Sequence, residues 1–343
     1  MIRPLVRFAV RRSLTHDTRY VEVVRPRRAR GLVAEVYRQV EDEFGTLAPP
    51  TAMHSVAPDT LAASWMILRE TLVAKGVAPR PAKEAVATGV SLANSCPYCA
   101  DVHGMTLDAI PDVGPTDELV AWARGSATAA GVVAPPFPAS QLPELVGVAV
   151  AFQYYNRVVN VFLRDSPFPA HVPESAKPKA RKVLGRALRP PADGGPPPGG
   201  SLDLLPAVAR PSDLAWAGEN EAIAGAFGRA YAAVDNAGAR SVPRSVRELV
   251  ADRLSSWDGQ APGLSRAWVQ DAVAGLAPAD QPAGRLALVV AMSSYQVDEG
   301  LVEAFRATAP GDEVLMELVS WASLAAARRI SSWVGAASPA AAE

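Results

Sequence analysis

Apolar residues recur along most of the chain at intervals of three and four positions, the spacing of one face of an α-helix. Runs that alternate apolar and polar residues are few, and no two of them form a convincing strand pair. Prolines and glycines separate the helical segments. The pattern therefore predicts an all-α fold with helices at 32–44, 59–75, 82–95, 117–130, 143–163, 219–234, 243–256, 265–275, 283–307 and 312–335.

The helical spacing is lost between Ser166 and Pro206, where prolines and glycines accumulate. This composition is typical of a surface connection and predicts no packed helix there. We therefore predict four segments: a basic leader at 1–30, a helical unit at 31–165, a linker at 166–206 and a second helical unit at 207–338.

The two predicted units share three features in the same order. Trp65, Pro81-Ala82 and the run from Glu118 to Ala123 correspond to Trp268, Pro282-Ala283 and the run from Glu317 to Ala322, with spacings that agree within two residues. These matches predict a duplicated helical unit. Chance similarity between alanine-rich helices is the alternative interpretation.

Composition narrows the functional classes. The net charge is -1, which gives no overall reason to expect nucleic acid as a partner. The leader is rich in arginine, and we expect a solvated segment that packs loosely, with an interaction arm or transit-like segment as the alternative. No apolar run is long enough for a membrane span, and no secretory signal is evident. A cytoplasmic protein is expected, in which two cysteines indicate redox or metal chemistry.

Both cysteines lie in one short run from Ser95 to Cys99, and His103 follows one helical turn later. Pro97 suits the first position of a helix, which places Cys96 at the cap. Cys99 and His103 are then neighbours on one helical face. Only a thiolate attacks, the helix N-terminus favours negative charge, and His103 can accept the proton of Cys99. The spacing thus supplies an attacking thiol, a resolving thiol and a base.

The preceding helix carries a polar stripe on an otherwise apolar surface, formed by Glu84, Thr88, Ser91 and Ser95. A stripe facing solvent is one interpretation. We favour the other, in which the stripe faces the thiols and Glu84 orients or recharges His103.

The order Glu84, eleven residues, Cys96, two residues, Cys99, three residues, His103 resembles the active site of the alkylhydroperoxidase D-like (AhpD-like) branch of the carboxymuconolactone decarboxylase superfamily. The resemblance is clear from Leu32 to Ala130 and weaker over 205–335. It implies an all-helical protein that assembles as a homo-oligomer. We expect no cofactor and no metal.

The same resemblance implies thiol-dependent peroxide reduction. Cys99, activated by His103 and Glu84, would react with a peroxide or disulfide, and Cys96 would resolve the product. A dithiol protein or a small thiol would supply electrons. Tyr98 stands where some members have a histidine, which puts a proton step through that position in doubt.

The second unit lacks these groups. If Pro282-Ala283 matches Pro81-Ala82, the reactive positions are occupied by Arg285, Val297, Gly300 and Ala304. We therefore expect the second unit to be a structural partner, packed against the first as an identical subunit would be in single-unit relatives.

Several other interpretations compete. Structural zinc needs four ligands, and His16, His54 and His171 have no ligand-like spacing. The Cys-Pro-Tyr-Cys run also matches glutaredoxin, but that fold needs a strand before the motif. The decarboxylase branch lacks the cysteine pair. A non-catalytic redox-responsive or scaffolding protein is the functional alternative.

A segment that mixes aromatic and polar residues, from Phe152 to Leu163, is the other unusual feature. It is either a core helix with satisfied polar groups, which we favour, or the lining of a substrate pocket.

Overall fold

The computed structural model describes residues 7, 10, 11, 14, 17–168, 172–191 and 194–336. The remaining parts of the predicted leader, linker and second unit, with His16 and His171, lie outside these residues. The fourteen α-helices of the described part are α1 (Gly31–Gln39), α2 (Pro49–Ala52), α3 (Pro58–Leu68), α4 (Arg80–Ala93), α5 (Pro97–Ala109), α6 (Asp117–Gly125), α7 (Leu142–Phe162), α8 (Lys177–Leu188), α9 (Glu221–Ser241), α10 (Arg244–Ser255), α11 (Ala267–Val273), α12 (Gln281–Ser293), α13 (Glu299–Arg306) and α14 (Asp312–Ala336).

The predicted all-α fold is confirmed. Within the described part of the chain, β pairing is limited to an isolated bridge between Thr18 and Leu163. Two helices continue for one π-helical turn, α1 over Val40–Phe44 and α3 over Arg69–Val73. No helix of the described residues is both long enough and apolar enough to cross a bilayer.

The prediction that 166–206 holds no packed helix is wrong, because α8 lies inside this segment. Proline is tolerated in the first turn, where Pro178 lies, and no further proline interrupts the helix before Pro190. Gly185 and Ala187 are buried, and α8 packs against α5. The high proline content of the segment hid an amphipathic helix.

The predicted helix at 283–307 is two helices. The chain leaves α12 at Ser293 and enters α13 after Asp298, whose side chain accepts a hydrogen bond from the Leu301 amide. This side-chain cap starts a new helix, because it satisfies an amide that has no partner within the helix.

The described residues of the leader pack more closely than we expected. Leu14 is 2% exposed and belongs to the hydrophobic core, and the Arg7 guanidinium donates to the carbonyls of Glu41 and Gly45. The Arg19 amide donates to the Phe162 carbonyl at 2.7 Å. This part of the leader is therefore attached to the body of the protein.

Helix α4 is the centre of the first half, because α5, α6 and α7 all pack around it. The two halves share an interface in which α3 packs on α9 and α7 packs on α14. The matching sequence runs fall on helices of unequal length, α6 and α14. The duplication stays a prediction.

Glycine allows α4 to approach α6 closely. A Cβ atom at Gly89 would lie 2.5 Å from the Val120 carbonyl oxygen and 2.8 Å from the Ala123 Cβ. We predict that Gly89→Ala lowers the free energy of unfolding by about 1–3 kcal/mol, because neither backbone can yield freely.

Gly104 in α5 is the matched control, since a Cβ there meets nothing within 4 Å. Gly104→Ala is expected to stabilise the protein by about 0.5–1 kcal/mol through helix propensity. Urea unfolding of both variants checks the pair, and equal shifts would contradict the close-approach interpretation.

Candidate active site

A tight turn places the two thiols at the start of a helix. Helix α4 ends at Ala93, and Ser95 adopts a left-handed backbone with φ of 50°, which is costly for a residue with a Cβ. The Cys96 amide then donates to the Ser91 carbonyl at 3.0 Å. Cys96 is the cap of α5 and Pro97 is in its first turn, as the sequence predicted.

Cys96 and Cys99 are both buried and unbonded, and they lie 3.2 Å apart. Burial raises the pKa of the Cys96 thiol well above its usual range, and the hydrogen bond to Cys99 and the charge of Cys99 raise it further. Asn156 acts in the opposite direction through a weaker hydrogen bond. The raised pKa of Cys96 favours the protonated form of this thiol.

Glu84 and His103 are in direct contact, as the polar stripe predicted. The Nδ1 atom of His103 lies 2.6 Å from Oε2 of Glu84, and both side chains are buried. The edge of the His103 ring meets Phe152, with centroids 4.5 Å apart and an interplanar angle of 87°. The imidazole is thus fixed on one side by a carboxylate and on another by an aromatic ring.

Glu84 also pairs with a cation that the sequence analysis did not identify. The Nε atom of Arg80 donates to Oε1 of Glu84 at 2.7 Å, so each carboxylate oxygen has its own partner. The separation of four residues along α4 was a readable signal for this pair. Burial alone would raise the pKa of Glu84, but the charges of Arg80 and His103 and their hydrogen bonds hold that pKa below its ordinary value.

The other members of the polar stripe have local partners. Thr88 donates to the carbonyl of Glu84, and Ser91 donates to that of Ala87 while accepting from Asn156. Ser95 is exposed in the turn. The structure therefore brings together Glu84, His103 and the hydrogen-bonding surroundings of the thiols, but it does not place the whole stripe on one buried face.

Cys99 and His103 line the same cavity of about 550 Å³, whereas Cys96 does not line it. The walls are almost entirely apolar and come from the leader, the first helical unit and α8. They include Leu68, Leu72, Tyr98, Phe152 and Tyr155. The predicted helix at 152–163 is thus a buried core helix, and two of its aromatic residues also line the cavity.

Helix α8 forms one side of this cavity with Ala180, Val183 and Leu184. The Arg181 guanidinium is ion-paired with Asp101 of α5. Gly185 lies against the Met105 carbonyl, where a Cβ would come within 2.4 Å. The segment that the sequence analysis interpreted as a linker therefore covers the thiol site.

His54 is a core residue. It is fully buried, its Nε2 lies 2.8 Å from the Tyr154 hydroxyl, and burial lowers its pKa to about 4. Among the described residues, no cluster of three or more histidine, cysteine, aspartate or glutamate side chains could hold a metal ion.

The buried Glu84 cluster predicts a pH-dependent stability difference. A carboxylate whose pKa is lowered in the folded state stabilises it above the ordinary pKa of 4.5, and this contribution is lost as the pH falls through the lowered value. We expect Glu84→Gln to lower the free energy of unfolding by about 3 kcal/mol at pH 7, because Arg80 is left without a partner. As the pH falls through the lowered pKa of Glu84, the difference from wild type should shrink.

Glu35→Gln is the matched control, because Glu35 pairs with Arg38 at the surface, where such pairs contribute little. Urea unfolding between pH 3 and pH 7 measures both variants. The buried cluster would be contradicted if the difference in the free energy of unfolding between Glu84→Gln and wild type stayed constant with pH. A difference no larger than that of the control would contradict it as well.

Comparison with known proteins places these residues in a family. Residues 59–133, which include Glu84, both cysteines and His103, match the carboxymuconolactone decarboxylase family. The chain is also 37% identical over 338 residues to the alkyl hydroperoxide reductase Rv2159c of Mycobacterium tuberculosis, an alignment that covers 93% of this chain and 95% of that protein. The chain therefore belongs to the carboxymuconolactone decarboxylase family, as a member of its AhpD-like branch.

Proposed function

We propose that this protein is an antioxidant peroxidase that reduces organic hydroperoxides with its cysteine pair. The observation that carries the proposal is the buried Cys96–Cys99 pair at the head of α5, beside the His103–Glu84 hydrogen bond and open to an apolar cavity through Cys99. The similarity to a protein named alkyl hydroperoxide reductase supports the same reaction class.

In the first step, the thiolate of Cys99 attacks the terminal oxygen of the hydroperoxide. The O–O bond breaks, Cys99 is oxidised to a sulfenic acid, and the alkoxide takes a proton and leaves as an alcohol. His103 is suited to accept the thiol proton and return it to the alkoxide. Because Nδ1 is engaged by Glu84, Nε2 is the nitrogen free to exchange it.

In the second step, the sulfur of Cys96 attacks the sulfenic sulfur of Cys99. An S–S bond forms, and the hydroxyl leaves as water with the proton of Cys96. Because the two cysteines lie 3.2 Å apart, this step joins residues that are already neighbours. Because its pKa is raised, Cys96 suits the resolving role better than the attacking one.

A dithiol then completes the cycle. Its first thiol attacks the Cys96–Cys99 disulfide and forms a mixed disulfide with the protein. Its second thiol attacks that mixed disulfide, which restores both cysteines and leaves the dithiol as its own disulfide. We propose a dithiol protein or a small thiol as the electron donor.

The cavity supports organic rather than inorganic peroxide as the preferred substrate. Its volume of about 550 Å³ is in the range of small-molecule binding sites, and its walls are apolar. Burial of an alkyl group there stabilises the complex by about 25 cal/mol for each Å² removed from water. Hydrogen peroxide has no such group.

We also propose that the second half of the chain is a structural partner. It supports α7 and α3 through α14 and α9, and Arg285 donates to Gln281 within α12. In this view the second half replaces the identical subunit that packs on the site in single-unit relatives.

The two cysteines serve as mutual controls in the first functional test. We predict that Cys99→Ser reduces the consumption of cumene hydroperoxide, with dithiothreitol as donor, to the uncatalysed background. Without dithiothreitol, Cys96→Ser should still produce about one alcohol per protein, because the attacking thiol remains, and then stop. Wild-type activity in Cys99→Ser would reject the proposal and favour the non-catalytic alternative.

The second test addresses the cavity. We predict that Val183→Glu lowers kcat/KM for cumene hydroperoxide about tenfold, because a carboxylate is introduced beside an apolar substrate. The rate with hydrogen peroxide should change little. Lys182→Glu is the matched control, because Lys182 is the neighbouring residue on α8 and is exposed as Val183 is, but does not line the cavity. Equal losses with both peroxides, or in both variants, would contradict the assignment.

A further inference from the structure

A second pocket, unlike the thiol cavity, lies where the two halves of the chain meet. Its volume is about 400 Å³, and its lining is mostly polar. The first half contributes the turn after α4, the end of α6 and Arg157 of α7, and the second half contributes Trp257 and the end of α12. The polar and aromatic groups that line it are Asn94, Ser95, Arg124, Thr128, Arg157, Trp257, Gln260, Ser293, Ser294 and Tyr295.

Arg157 is the unusual member of this set. It is 5% exposed, and within the described residues it forms no ion pair. Its Nε donates to the Ala291 carbonyl at 2.9 Å, and its Nη1 donates to the backbone and side-chain oxygens of Gln153. The guanidinium also lies over the ring of Trp257, 5.8 Å from its centroid. All of these partners are neutral.

A buried cation without a counter-ion is costly, because it has lost the hydration that stabilises its charge. Burial accordingly lowers the pKa of Arg157 to about 9. The bonds described above use Nε and Nη1, which leaves the donors of Nη2 for a further partner. A bound anion would supply the missing charge.

Two further observations point to a ligand in this pocket. Arg124, on the last turn of α6, is the other charged residue of the lining, so the lining carries two positive charges and no carboxylate. The hydroxyl of Ser293 is buried and has no hydrogen-bond partner. Carboxylates and phosphates accept hydrogen bonds from guanidinium groups and from unpaired hydroxyls.

We propose that this pocket binds a small organic oxyanion, a carboxylate or a phosphate monoester, held by Arg157 and Arg124. The volume exceeds that of a bare inorganic ion, and Trp257 and Tyr295 provide apolar surface for an organic group. This site is separate from the thiol cavity and does not depend on the peroxidase activity.

The pocket is nevertheless connected to the thiols by hydrogen bonds. The Oε1 atom of Gln153 accepts from both Arg157 and Asn94, and Asn94 also donates to Asn156 at 3.1 Å. Asn156 in turn donates to the Ser91 hydroxyl at 3.0 Å, and it acts on the Cys96 thiol, whose pKa it lowers. A bound oxyanion therefore lies a few side chains from the resolving thiol.

Calorimetric titration with phenyl phosphate, benzoate and the neutral benzyl alcohol tests the proposal, with the change in intrinsic tryptophan fluorescence as a second readout. Saturable 1:1 binding of either anion, without binding of benzyl alcohol, is expected. Arg124→Gln should weaken that binding about tenfold or more, the value of a charge-assisted hydrogen bond. Arg157→Lys should weaken it as well, because lysine lacks the planar fork of donors.

Arg38→Gln is the control, since Arg38 is an exposed arginine of α1 that does not line the pocket. Arg124 is exposed, so its variant keeps the test valid if Arg157→Lys does not fold. The absence of saturable binding by both anions, or binding that is the same in Arg124→Gln as in wild type, would overturn the proposal. Peroxidase activity has no bearing on either result.

Discussion

The buried contact between Glu84 and His103 is the interaction on which the thiol site depends. A carboxylate in the protein interior is stable only when it is paired, and here each of its oxygens has a cationic or protonatable partner, Arg80 on one side and His103 on the other. The contact fixes α4 and α5 relative to each other, because the two residues lie on different helices. It also defines which nitrogen of His103 can exchange protons.

The environment of the thiols follows from this arrangement. Cys96 points away from the cavity, is surrounded by protein and keeps its proton, whereas Cys99 lines the cavity. Helix α8 then closes the site with apolar side chains. In the reaction that we propose, a peroxide with an organic group would meet Cys99 and His103 in an apolar cavity. The different roles that we propose for two chemically identical side chains thus rest on their burial and position.

The sequence was sufficient to predict the all-α fold and the helix that begins at Pro97, because each rests on a short local spacing. The contact between Glu84 and His103 was expected from the polar stripe on α4 and from the family resemblance. It was not sufficient for α8, since prolines on both sides concealed a helix whose apolar face is defined only by the cavity it covers. The ion pair between Arg80 and Glu84 could have been predicted from their separation of four residues, but it was not recognised. The pocket around Arg157 could not be predicted from the sequence, because its residues come from distant parts of the chain.

The most direct test of the central claim is the rate at which iodoacetamide alkylates Cys99 across pH, measured in a Cys96→Ser background with and without His103→Gln. If His103, oriented by Glu84, takes the proton of Cys99, the rate at pH 7 should fall about tenfold or more in the His103 variant. The two curves should converge at alkaline pH, where any thiol is deprotonated. Curves that coincide at all pH values would contradict the account.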